Sequence, residues 1–360
     1  MSLRPIDNLR LLLDGQSPHW IPFSLDVGAM TGFSEPIERT FREQTGSQDH
    51  AAYFHTDVRC FSLSGRFGGD QPAVLHGDLP PQTTFDEWGI GHCASATEGA
   101  LDKMYPPLAR AESVNQVEAL PSPVVVADVD SSPIARWHQA GYPVFGYAGS
   151  LYEWSWWLRG MERFMVDLVA APHMAQAVVC KVEQYTTRLA LCSAELGVDV
   201  LCFYDDAGMQ RGMQVSPSLW RKFIKPAWGR VLTTVLSRFP HVRFFLHSCG
   251  KIDSIVPDIV ELGFHLLHPL QPECMDFAGV YQQFGAQIAL AATLSAQHTL
   301  PFGSPDDVRH EIRRLATVAA DQRCMLMPSN VIQPETPWEN VLAFADGALA
   351  LRPAATRSTR

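Results

Sequence analysis

Short apolar runs alternate with longer amphipathic stretches through the second half of the chain. Residues 200–204, 243–246, 266–268, 288–291 and 324–327 are apolar runs of strand length. Between them, residues 161–196 (with a break near Pro172), 218–238, 252–262 and 305–320 carry helical periodicity. Strands apolar on both faces and separated by crossover helices predict a parallel sheet covered by helices. Helix-start chemistry supports the boundaries. Ser304-Pro305-Asp306-Asp307 puts a capping serine ahead of a proline and early acids, and Ser216-Pro217 repeats the device. Upstream, residues 21–23 and 144–147 and a run near 58–61 bring the set to eight strands. The prediction is an α/β chain folded as a single (β/α)8 TIM-type barrel over residues 1–352, with an open doubly wound sheet as the alternative. The Gly-, Pro- and Thr-rich stretch 65–123 reads as an irregular insertion between early strands, with a hairpin around Phe85-Asp86-Glu87-Trp88-Gly89. Residues 353–360 read as a disordered tail.

Composition narrows the function classes. Of the 360 residues 46% are hydrophobic and 18% charged, which suits a chain with a large core. A formal net charge of −10 argues against nucleic acid or an anionic membrane as partner. Charges interrupt the short apolar run of residues 1–15, so no secretory signal is expected, and no stretch approaches the roughly 18 apolar residues of a membrane span. The eight cysteines are scattered, and Cys192 and Cys202 sit inside apolar runs. Buried thiols of this kind point to a reducing compartment, and the cytoplasm is the expected location.

A barrel places its working residues just beyond the C-terminal ends of its strands. There the chain has Ser24-Leu25-Asp26, Asp205-Asp206, His247-Ser248-Cys249-Gly250, Pro269-Leu270-Gln271-Pro272 and Pro328-Ser329-Asn330. Residues two apart in an extended segment point the same way, so His247 and Cys249 can converge on one ion, and Zn²⁺ accepts both ligand types. Two ligands do not make a site, and a histidine with a small thiol packed at the rim is the alternative. Asp205 and Asp206 point to opposite faces, so at most one looks into the mouth. Either is a candidate to orient a substrate or accept a proton, or else to cap a helix or pair with Arg211. Gln271, between two prolines, is a candidate hydrogen-bonding residue. Tyr147, Trp154 and Trp156 are candidate walls of a substrate pocket, although Trp154, Trp156 and Trp157 cannot all share one side of a helix.

Several of these runs occur together with further motifs. They include Asp205-Asp206-Ala207-Gly208-Met209-Gln210, His247-Ser248-Cys249-Gly250-Lys251-Ile252, Pro269-Leu270-Gln271-Pro272, Leu300-Pro301-Phe302-Gly303-Ser304-Pro305 and Ile332-Gln333-Pro334-Glu335-Thr336-Pro337. The set resembles the signature of the uroporphyrinogen-decarboxylase-like superfamily, from about residue 20 to residue 350. The resemblance implies the barrel and one of two chemistries. The decarboxylase branch works on a tetrapyrrole rich in carboxylates without a cofactor, using an arginine-rich segment after the first strand. Residues 21–28 contain no arginine, and Asn330 stands where that branch has histidine. Asp57 is the residue that resembles its essential aspartate. The second branch comprises zinc methyltransferases and demethylases that move a methyl group between a small methylated molecule or a thiol and a corrinoid-binding partner protein. His247 and Cys249 match two of its zinc ligands. Its third ligand, a cysteine in the turn after the last strand, aligns with Asn330. Cys324, earlier in that strand, or an acid such as Asp206 or Glu153, would then complete the zinc site, with Asn330 left to contact substrate. The methyltransferase branch is the favoured reading and a decarboxylase of a porphyrin or smaller acid the alternative. A homodimer is compatible with the sequence, which does not fix the oligomeric state.

Overall fold

Seven of the predicted strands form one parallel sheet in the computed structural model, which describes residues 3–95, 102–126 and 128–353. They are β1 (Arg59–Phe61), β2 (Val144–Gly149), β3 (Val200–Tyr204), β4 (Arg243–His247), β5 (Leu266–His268), β6 (Ala289–Leu294) and β7 (Cys324–Pro328), and they lie side by side in chain order. Consecutive parallel neighbours require a crossover after every strand, and helices supply most of them. The predicted helix at 161–196 divides into Met161–Ala170 and Pro172–Glu195, as a proline without an N–H dictates. The one at 218–238 divides into Pro217–Phe223 and Lys225–Arg238, with Pro226 in the first turn of the second piece. Ser216 and Ser304 cap as predicted, accepting from the Leu219 and Asp307 amides.

The predicted first strand is the exception. Residues 21–23 form no strand; Phe23 makes a single parallel bridge to Leu326 of β7. Its carbonyl accepts from the Asp57 amide at 3.0 Å, just ahead of β1. Pro22 has no N–H to donate, which breaks the ladder at its centre. The eight-stranded barrel is thus corrected to a curled, seven-stranded parallel sheet. The curl follows from that short segment, which touches the last strand and the approach to the first at once.

The strands are buried on both faces. Phe145, Val200, Cys202, Tyr204, Phe245, Leu266, Ala289, Ala291, Met325 and Met327 form an inner cluster, joined by Leu9, Leu12 and Leu13 from the helix Pro5–Leu13. That helix sits where the strands begin, since Ile6 donates to Gly141 just ahead of β2 and Asp14 pairs with Arg243 at the start of β4. The intervening residues, such as Leu201, Phe203, Phe244, Leu267 and Leu326, face the helices in a larger outer cluster. Each fully buried side chain of this size contributes about 1.5–3 kcal/mol.

The insertion is ordered where described. Thr84–Phe85, Gly91–Cys93 and Lys103–Tyr105 form a small antiparallel sheet, and Asp86 closes the hairpin by accepting from the Trp88 and Ile90 amides at 2.9 Å. Trp88 is buried edge-on against Trp154 and Tyr185, which pins the insertion to the helix layer. The predicted tail from residue 354 onward lies outside the described residues. Among the described residues no helix is long and apolar enough to cross a membrane.

Candidate active site

Tyr204, His247 and His268 stand in register across β3, β4 and β5. Inner-cluster membership shows that Cys202 and Tyr204 point inward, as does Phe245 two residues ahead of His247. Carrying the alternation past the strand ends sends Asp206 and Cys249 inward and Asp205 outward. The contacts agree. Cys249 Sγ lies 3.3 Å from His247 Nε2, and Asp206 Oδ1 lies 3.5 Å from the same nitrogen while accepting from the Cys249 amide at 2.7 Å. One ligand atom from each of Asp206, His247 and Cys249 falls within 4.8 Å of the others, so the three could hold a metal ion. A nitrogen, a sulfur and an oxygen donor suit Zn²⁺, which in catalytic sites takes three protein ligands and keeps a fourth position open. Gly250 ends the motif at φ +83°, where an added Cβ would come within 2.4 Å of the Gly208 carbonyl carbon, so only glycine fits.

Asp205 belongs to the scaffold. It accepts from Ser150 Oγ (2.7 Å), from the Leu151 and Glu153 amides (3.1 and 2.9 Å) and from Trp228 Nε1 (3.0 Å). Those contacts fasten the start of the helix Tyr152–Arg159 to β3. Burial pushes its carboxyl up to about 6 against these hydrogen bonds. Asp57, likewise, is buried away from the cluster, held by Arg352, Trp20 Nε1 and the Phe23 amide. Cys324 does not reach the site. It begins β7 and packs in the outer, helix-facing cluster, whereas Met325 and Met327 of the same strand point inward.

Beside the cluster lies a cavity of about 380 Å³ lined by Asp206, Cys249, Gln271 and Asn330, together with Gln210, Gln297 and Ser329. Gln271 accepts from the Gly250 amide at 2.9 Å. Asn330 turns its amide nitrogen to Cys249 Sγ at 3.4 Å and its carbonyl to the Val331 amide, so it is a donor to the sulfur. Of the aromatic candidates, the two tryptophans pack in the helix layer, and Tyr147 packs on the inner cluster. Trp154 is buried against Trp88 and Tyr185, Trp156 packs edge-on against Trp157, and Tyr147 stacks on Tyr204 at 5.4 Å between centroids. None of Tyr147, Trp154 and Trp156 lines the cavity.

Burial dominates the electrostatics. It holds His247 down at about 4, so the imidazole is neutral at pH 7. It raises Asp206, opposed by the Cys249 amide, and raises Cys249, with help from the charge of Asp206. Glu153 is raised well above the usual carboxyl range by burial and then by Asp206 and Asp205. A divalent cation would reverse these last shifts by favouring carboxylate and thiolate.

His268 is a residue that reading the sequence missed. Its Nδ1 lies 2.8 Å from His247 Nδ1 and its Nε2 2.9 Å from the Pro328 carbonyl oxygen. The signal was available: a histidine ending an apolar strand, beside the strand that carries His247.

A model of the family described as uroporphyrinogen decarboxylase matches residues 129–349, more than half of the chain. The methylcobamide:CoM methyltransferase MtaA of Methanosarcina barkeri is 28% identical over 150 residues, which are 42% of this chain and 41% of that protein. The match therefore spans less than half the length of that relative. The solved structure of a methyltransferase from Methanosarcina mazei superposes with a TM-score of 0.65 at 16% identity, covering 96% of this chain and 98% of that one, and so shares the fold.

Proposed function

We propose methyl transfer as the reaction of this site, from the premise that the chain belongs to the uroporphyrinogen decarboxylase family. The observation that carries the reading is the grouping of Asp206, His247 and Cys249 at the strand ends, beside a cavity. Partial identity to a methylcobamide-dependent methyltransferase supports the same chemistry.

In this proposal Asp206, His247 and Cys249 hold zinc, and Asn330 donates to the cysteine sulfur where a third thiolate is absent. Zinc would supply a Lewis acid that polarises the heteroatom of a methylated molecule or lowers the pKa of a thiol. The methyl group moves between that small molecule and a corrinoid carried by a separate protein. Gln271 is anchored by Gly250 and orients the substrate with Gln210, Gln297 and Ser329. The lining contains amides and a hydroxyl but no lysine or arginine among the described residues, which suits a small uncharged substrate, because a buried anion needs a cationic partner. Decarboxylation is disfavoured, since Asp57 is tied to Arg352 and Trp20 away from the cavity.

The test is zinc analysis of purified protein together with methyl exchange between methylcobalamin and a small neutral thiol. The expected result is about one zinc per chain, lost in His247→Ala and Cys249→Ala and kept in His50→Ala and Cys60→Ala. Wild-type protein free of zinc, or unchanged zinc in the first two variants, overturns the metal assignment. Bound zinc with no methyl exchange to any of a panel of neutral thiols or methylated compounds overturns the reaction.

A further inference from the structure

We propose that His268 is a positioning residue that fixes the tautomer of His247, so that His247 carries its proton on Nδ1 and presents a bare Nε2 to Asp206 and Cys249. The relay ends on Pro328. Its carbonyl oxygen can only accept, and it lies 2.9 Å from His268 Nε2, so that nitrogen carries a proton. His268 is fully buried, and among the described residues the hydrogen-bond partners of its ring are this carbonyl and His247, with no carboxylate to favour a charged ring.

A neutral His268 with its proton on Nε2 has a lone pair on Nδ1. That lone pair faces His247 Nδ1 at 2.8 Å, where a second lone pair would be repulsive and an N–H is a good donor. His247 Nδ1 is therefore the donor. Its Nε2 is left 3.3 Å from Cys249 Sγ and 3.5 Å from Asp206 Oδ1. The ring centroids lie 4.9 Å apart with 28° between the planes, and Phe245 stacks on the far histidine at 5.4 Å, which holds its ring in place. A ligating histidine whose second nitrogen donates outward is the usual way a protein sets which nitrogen is bare. Here the outward partner is a second histidine ending on a backbone carbonyl.

The consequence for metal binding rests on the proposed function, but the tautomer exists without metal, and the two can fail separately. In metal-free protein labelled with ¹⁵N-histidine, two- and three-bond correlation spectra at neutral pH should show His247 with its proton on Nδ1 and His268 with its proton on Nε2. His268→Leu should shift His247 toward the other tautomer and weaken zinc by about 10–100-fold. His268→Gln, whose carbonyl can accept from His247 and whose amide can donate to Pro328, should restore both readouts close to wild type. Wild-type His247 protonated on Nε2, or a folded His268→Leu with unchanged tautomer and zinc affinity, overturns the inference. If His268→Leu fails to fold, the wild-type spectrum and His268→Gln decide. Protein that binds no zinc yet shows the expected tautomers sinks the metal assignment and leaves the relay standing.

Discussion

Two places in this molecule bring an aspartate, a histidine and a cysteine together, and they differ in what they can bind. At the first, after residue 23, Asp26 accepts from His50 Nε2 at 2.8 Å and from the Gly32 amide at 3.0 Å, and Cys60 Sγ donates to the Gly28 carbonyl at 3.2 Å. His50 Nδ1 lies 3.8 Å from Glu38. Burial lowers His50, but the charge and hydrogen bond of Asp26 outweigh it and leave the histidine raised. Both ring nitrogens face carboxylates, an arrangement that favours the protonated ring, and burial followed by the charge of Asp26 raises Cys60 and favours its thiol form. At the second, His247 has a neutral histidine behind it and a bare nitrogen in front. The same three residue types make an ion pair in one place and, in the proposed reading, a ligand set in the other. The partner of the far imidazole nitrogen decides between them.

The sharpest way to break this contrast is acid. His247 falls from an unfolded value of about 6.5 to about 4 in the folded chain, because burial penalises its charged form. A histidine depressed on folding stabilises the native state above its unfolded pKa, and that stability is lost as pH falls toward the folded value. For metal-free protein the loss between pH 6.5 and 4 should reach about 3 kcal/mol from His247 alone. The Asp26–His50 pair stays ionised through this window, because Asp26 is held low and His50 high; burial opposes both shifts, and their mutual attraction outweighs it. Urea unfolding across the window should show an acid limb that His247→Gln makes shallower, the buried His265 and His268 keeping part of it, and that His50→Gln leaves unchanged. A limb flattened by the second variant instead would mean that the two clusters are assigned the wrong way round.

A smaller effect tests the open edge of the ligand set. Asn330 Nδ2 already lies 3.4 Å from Cys249 Sγ, so a side chain at this position reaches the site. Thiolate binds zinc far better than carboxamide does. Asn330→Cys should tighten zinc about tenfold, or about 1.4 kcal/mol, in competition with a chromophoric chelator. The stoichiometry should stay at one, because both His50 nitrogens already face carboxylates. Weaker binding would show that the amide's hydrogen bond to sulfur matters more than a third soft ligand.

These contrasts were only partly legible in the sequence, and for an identifiable reason. Strand positions were readable because a parallel sheet buries both faces and leaves apolar runs. The same double burial erases the polar alternation that would tell inside from outside. Hence the aspartate pair was readable as one inward and one outward residue, but not which was which, until Cys202 and Tyr204 proved to face inward. Cys324 was a ligand candidate for the same reason, and its run carries no mark that it faces the helices. His268 was hidden by ending an apolar run. Trp154 and Trp156 were readable as pocket walls, yet Asp205 pulls the start of their helix against β3 and sends them into the helix layer. The strand at 21–23 failed for want of one N–H at Pro22.

The least effect should come from the pair that binds nothing. A histidine raised on folding stabilises the native state fully below its unfolded pKa, and that contribution disappears as pH rises through the folded value. His50 is raised, by Asp26 acting against burial, so its ion pair with Asp26 and Glu38 should be complete near pH 6 and fade on the alkaline side. His50→Gln should therefore cost about 1 kcal/mol at pH 6, the upper end of what a partly exposed pair provides, and progressively less as pH climbs past the raised pKa. Glutamine can still donate to Asp26, so what the variant removes is the charge rather than the hydrogen bond. Equilibrium unfolding at three pH values, with zinc content as the control, checks the slope. A cost that grows with pH would require His50 to be neutral in the folded chain, with Nε2 still donating to Asp26 and a lone pair on Nδ1 toward Glu38, erasing the distinction between the two clusters.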